Sequence, residues 1–108
     1  MAIPHANPGE VIDLSPLADK IASTKTYTVF KTPTLEAIRL VLPAGKQIAE
    51  HKAPGEITVQ CLEGRVHFTS GGSTHELTPG KMLYLTPAEP HALHAIEDSS
   101  ILVTLSLR

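Results

Sequence analysis

The sequence has no tryptophan, a single cysteine, and aromatic side chains at only 4% of its 108 positions. Cys61 therefore cannot close an internal disulfide, which agrees with a reducing compartment. With so few aromatics and no basic patch for them to interleave, the stacking platform of a single-strand nucleic-acid binder is missing. Positive charge is also short: 9 Lys and Arg stand against 11 Asp and Glu, a net charge of −2. Nucleic acid is not an expected partner. No apolar run approaches the roughly 20 residues that cross a bilayer, and the opening stretch MAIPHANPGE has neither the basic start nor the apolar core of a signal peptide. The expectation is a cytoplasmic protein with no membrane partner. Also absent are Gly-x-Ser-x-Gly, Cys-x-x-Cys and a glycine-rich loop for phosphates, so no nucleophile or phosphate motif is available to assign a reaction.

What the sequence does have is a series of short apolar or alternating runs, cut at regular intervals by Gly, Pro and Ser, from about residue 26 onward. That pattern predicts an all-β barrel or sandwich. The expected strands are 26–31, 35–42, 47–52, 56–63, 65–69, 74–77, 81–86, 91–96 and 101–107. Turn residues such as PAG, APG, EGR, SGGS and TPG separate them, Gly supplying positive φ and Pro a preset φ without a ladder donor. One short helix is expected, with Ser15 as N-cap and Pro16 in the first helical position. Residues 1–25 read as an N-terminal arm carrying that helix, and residues 26–108 as one barrel domain. A chain of this length buries roughly two-thirds of its unfolded surface around a single core.

The stretch PAGKQIAEHKAPGEITVQCLEGRVHF, followed by TPGKMLYLTPAEPHALHA, resembles the two paired motifs of a small single-domain cupin over residues 43–95. Gly45, His51 and Gly64 stand where the first motif places them. Ala53 replaces its second His, and Ile57 its Glu. In the second motif Gly80 and His91 fit the ends, while Thr86 and Ala88 replace the central Pro and Gly. The resemblance implies a β-jelly-roll barrel, a double-stranded β-helix, with a site at its mouth from which half of the usual metal ligands have gone. It says little about the reaction, since this fold hosts many chemistries. It also implies a homodimer, which the sequence supports independently: the strand at 26–31 and the segment VIDLSPL exceed a minimal barrel, and open sheet edges have to be covered.

Strand alternation sorts the candidate residues. His51 and Ala53 share a face, as do Ile57, Val59 and Cys61, with Glu56, Thr58 and Gln60 opposite. His91, Leu93 and Ala95 point one way and His94 the other, so only one of the two histidines enters the barrel. His91 is chosen because it follows the proline turn of the second motif. His67 and His75 read as surface strand residues, and His5 lies in the arm. Two imidazoles make an incomplete shell, since catalytic zinc uses three protein ligands and iron oxygenases commonly two His and a carboxylate. Glu56 would need a bulge to reach the site, Gln60 offers a neutral amide oxygen, and Cys61 reads as a small core residue rather than a thiolate ligand.

The expected function is a small-molecule-binding barrel whose ligand meets His51, His91 and Gln60, with a partly depleted divalent metal site (Fe, Mn, Zn or Ni) at His51 and His91. Three alternatives stay open. One is a metal-dependent dioxygenase or isomerase acting on a small organic substrate. Another is metal-free acid–base catalysis by an imidazole. The third is a ligand sensor or structural partner with no reaction of its own.

Overall fold

Nine strands form at the nine expected places: β1 (Tyr27–Lys31), β2 (Leu35–Leu42), β3 (Gln47–His51), β4 (Ile57–Glu63), β5 (Val66–Ser70), β6 (Ser73–Leu77), β7 (Met82–Leu85), β8 (His91–Ala95) and β9 (Ser99–Ser106). The computed structural model describes residues 4–107, so the first three residues of the arm and Arg108 lie outside the described residues. Two antiparallel sheets face each other, one ordered β1-β2-β9-β4-β7 and the other β3-β8-β5-β6. Successive strands repeatedly change sheet, which is the jelly-roll arrangement the alternation and turns predict.

Alternation decides what fills the space between the sheets. Ile57, Val59 and Cys61 of β4 and Ile101 of β9 project from one sheet onto Val66, Phe68, Leu93 and Ala95 of the other, all of them nearly inaccessible to water. Burial of each large aliphatic or aromatic side chain among these contributes about 1.5–3 kcal/mol. Gly64 tightens this end of the sandwich. It has φ +88°, and a Cβ there would collide with Ser99 Oγ, Ser99 Cα and the Asp98 carbonyl.

The helix departs from expectation. Ser15 does not cap it: its amide and hydroxyl both donate to the Asp13 carboxylate, and the helix is a short 3-10 turn over Ala18–Ser23 with no local side-chain cap. The free amides of Leu17 and Ala18 instead donate to the Glu63 carboxylate, at 2.9 and 3.0 Å, from 46 and 45 residues away. A register shift between Cys61 and Glu63 is what turns Glu63 to the outer face of its sheet, away from Ile57, Val59 and Cys61. There it accepts from the fully buried Arg39 at 3.1 Å and from the Ser100 hydroxyl at 2.6 Å. Arg39 in turn donates to the Ser15 carbonyl at 2.8 Å, so the arm is clasped over the outer face of β2 by one ion pair. Burial by itself pushes the Glu63 carboxyl up, but the donors from Leu17, Ser100 and Ala18, together with Arg39, outweigh it and hold the group below its usual range. The sequence reading missed this clasp, because a capping residue was sought next to the helix and not across the fold.

Candidate functional site

Toward one end of the sandwich the inner side chains leave a cavity of about 380 Å³. Ile38, Leu40, Val103 and Leu105 from β2 and β9 form one wall, with Ile57 and Val59 of β4 beside them. Ile48, Phe68 and Leu93 of the other sheet form the opposite wall. The polar side chains shown to face it are those of His51 and His91, while Lys52 belongs to the chain that borders its mouth.

The strand ladder brings the two histidines together. His51 and His91 are paired neighbours of β3 and β8, and their rings lie 4.2 Å apart, centroid to centroid, at 60°. Plain alternation from Ile48 would send Glu50 inward and His51 outward, but β3 changes register between Ile48 and His51, so that both of these line the cavity. His91 is buried, stacked on Phe68 at 5.6 Å and 10°, whereas His51 sits exposed at the mouth.

Each ring is held by the same device. His51 Nδ1 lies 3.0 Å from the Ala49 carbonyl, and His91 Nδ1 lies 3.0 Å from the Glu89 carbonyl. A carbonyl only accepts, so both Nδ1 atoms carry protons and Nε2 is the ring atom left to bind a metal or a ligand. Neither Nε2 has a hydrogen-bond partner among the described residues. The turn before β8 sets His91 in place. Ala88, where the family pattern has Gly, adopts the left-handed conformation a Gly would take, with φ 65°, and its amide donates 2.9 Å to the Ala53 carbonyl across the cavity mouth. Side-chain identity changed at this position while the backbone shape was kept.

Ala53 and Ile57 line the same cavity as the histidines, as their strand parity requires. Gln60 does not line it. It lies on the other face of β4, opposite Leu102 and Met82, because it alternates with the inward Val59 and Cys61. Glu56 lines an exterior groove with Tyr84 and Thr104, so the bulge that would bring it inside does not occur. Cys61 is 1% exposed in the core and does not reach the cavity; burial pushes its thiol up, further from a thiolate ligand. His67 pairs with Glu76 on the outer face at 3.2 Å, and His75 and His94 are exposed. His5 lines a separate groove between the arm and β1. Lys52 at the mouth was not singled out from sequence, since nothing distinguishes it from any other loop lysine.

Among the described residues no group of three or more His, Cys, Asp or Glu side chains converges on a point. The donor set of the cavity is therefore the two Nε2 atoms. That chemistry fits a divalent ion as a two-imidazole chelate, with water or a ligand filling the other positions, and it falls short of the three protein ligands of tightly held catalytic sites. An ion bound there would supply a Lewis acid beside the apolar walls. Also among the described residues, no helix is long and apolar enough to cross a membrane.

Residues 38–107 match the profile of the cupin domain family. No curated protein matches the chain in sequence. Among solved structures, a conserved protein of unknown function from Streptococcus pyogenes superposes with a TM-score of 0.78 at 23% identity, over 98% of this chain and 94% of the other. A cupin superfamily protein from Desulfitobacterium hafniense gives 0.79 at 14% identity, over 100% and 99%. A mutant salicylate 1,2-dioxygenase from Pseudoaminobacter salicylatoxidans gives 0.65 at 26% identity, over 68% of this chain and 21% of that much longer one. The first two likenesses establish the fold alone.

Proposed function

The chain belongs to the cupin family, and from that premise we propose that it binds a small organic molecule in the barrel cavity and holds a divalent ion (Fe, Mn, Zn or Ni) only loosely, through His51 and His91. The observation that carries the reading is the pair of histidine rings, 4.2 Å apart and with no partner at Nε2 among the described residues, at the end of an apolar cavity of about 380 Å³. Pockets of this kind gain affinity from apolar walls and orientation from a few polar groups. Screening small molecules by thermal shift tests it. Saturable stabilisation of the parent, lost when Leu105→Trp fills the cavity from β9, is the expected result. A screen with no stabilising compound, or stabilisation unchanged in the filled variant, sinks the reading. Elemental analysis of freshly purified protein is expected to find less than one metal ion per chain; a stoichiometric ion that survives chelator dialysis would favour the metal-enzyme alternative, to which the dioxygenase likeness lends some support.

The same reading makes the protein a cytoplasmic homodimer with no nucleic-acid or membrane partner. The dimer is supported by β7, an edge strand of the five-stranded sheet that exposes Met82 at 57% and Tyr84 at 70%. Edges of this kind are usually covered. Light scattering that returns a monomer mass at every concentration removes the dimer.

A further inference from the structure

We infer that the free edge of β7 pairs antiparallel with β7 of a second copy, about a two-fold axis at Leu83, so that the two five-stranded sheets become one. The inference rests on the homodimer reading and says where that dimer is made. The two sheets end on four strands, β1, β7, β3 and β6. Three of these edges are guarded. β1 has a register shift between Thr28 and Phe30, and the Ala6 amide of the arm occupies its Val29 carbonyl at 2.8 Å. β3 is broken between Ile48 and His51 and carries Glu50, while β6 carries Glu76 among Ser73, Thr74 and His75. Bulges, charges and covering segments are the devices that keep an edge from pairing. β7 has none of them: its sequence MLYL holds no charge and no proline, and its register against β4 is unbroken from the Ile57–Leu85 pair to the Gln60–Met82 pair.

The backbone fixes which groups this edge offers. The Lys81 carbonyl accepts from the Cys61 amide at 2.9 Å, so alternation aims the polar groups of Leu83 and Leu85 at β4 and those of Met82 and Tyr84 at the free edge. A second copy centred on Leu83 sets Met82 of each chain opposite Tyr84 of the other, and every amide aimed at the edge then gains a carbonyl. The side chains select the same register. Leu83 and Leu85 pack toward the core, which leaves Met82 and Tyr84 on the outer face at 57% and 70% exposure. Pairing about Leu83 lays each thioether against a tyrosine ring, a favourable contact of polarisable sulfur with an aromatic side chain. A second copy is the occupant that returns Tyr opposite Met and Met opposite Tyr, covering both exposed side chains through one self-complementary strand.

Sedimentation velocity over a concentration series tests this with two double variants, each checked by circular dichroism for the parent's strand content. Met82→Lys with Tyr84→Lys sets like charges opposite one another across the axis, and is expected to raise the dimer dissociation constant at least about tenfold. Met82→Lys with Tyr84→Glu sets opposite charges in the same places. It is expected to dimerise about tenfold more tightly than the first variant at low salt, with the difference shrinking at high salt. A first variant as dimeric as the parent overturns the β7 interface and leaves a dimer made elsewhere. Two variants weakened equally at low salt overturn the register about Leu83. A parent that is monomeric at every concentration overturns the inference and the homodimer reading together.

Discussion

Ala53 and Ile57 are the two residues that separate this cavity from the full ligand set of its family's motif, and both line the same space as His51 and His91. Replacing them together, Ala53→His and Ile57→Glu, is expected to raise divalent-ion affinity sharply. The substitution has an opposite effect on the empty protein. Ile57 is 4% exposed, between Leu85 and Leu105 on the neighbouring strands, and an unpaired carboxylate placed there costs several kcal/mol. The apo double variant should therefore melt below the parent and recover when metal is added. Identical metal titrations for the two proteins, with no metal-dependent rise in melting temperature, would show that these side chains do not converge.

At the scale of the element, two connections control the site and the arm. In the turn between β7 and β8, Ala88 occupies left-handed backbone that disfavours any side chain by roughly 1–2 kcal/mol, and a β-branched one more. Ala88→Val is expected to lose about 1 kcal/mol or more in denaturant unfolding, whereas Ala88→Gly should match or slightly exceed the parent, since relief of the Cβ is partly offset by the entropy of Gly. Equal stability of the Val and Ala proteins would contradict the strained turn. The arm is governed by Glu63, whose carboxyl is held below its ordinary range. A depressed carboxylate contributes stability that is fully present above its unfolded pKa, about 4.3, and is lost as pH falls through the folded one. Glu63→Gln, which leaves Arg39 buried without its counter-ion, should thus be clearly less stable than the parent at neutral pH. The gap between the two should narrow on acidification below about pH 4.3. A gap that stays constant with pH would mean the clasp does not act through its charge.

For the whole molecule, the packed sheets supply a continuous apolar core. The core runs through both sheets with Val66, Phe68, Ala95 and Ile101 at 0% exposure, and no three-ligand cluster among the described residues ties strands together. Dialysis against chelator is expected to leave the melting temperature nearly unchanged, in contrast to small domains whose fold is their metal site. A fall of many degrees, restored by one metal, would overturn that expectation.

The sequence by itself determined the nine strands, since a period of two and the Gly and Pro between runs are local properties that neighbouring residues enforce. It also determined which face of β4 carries the apolar side chains and that His91 and His94 lie on opposite faces of β8, with the proline turn of the second motif pointing to His91 as the inward one. The tertiary structure decided the rest. The register shifts that carry His51 into the cavity and Glu63 out of the core depend on the partner strand against which a residue is left over, and β8 and β9 lie about forty residues further along the chain. The same holds for the helix, capped by Glu63 in place of Ser15, whereas Gln60 is turned away from the cavity by the plain alternation of β4 that the sequence already carries. An empty space leaves no mark in a sequence. The cavity exists because side chains from both sheets stop short of one another at one end, and that distance is set only when the sheets pack.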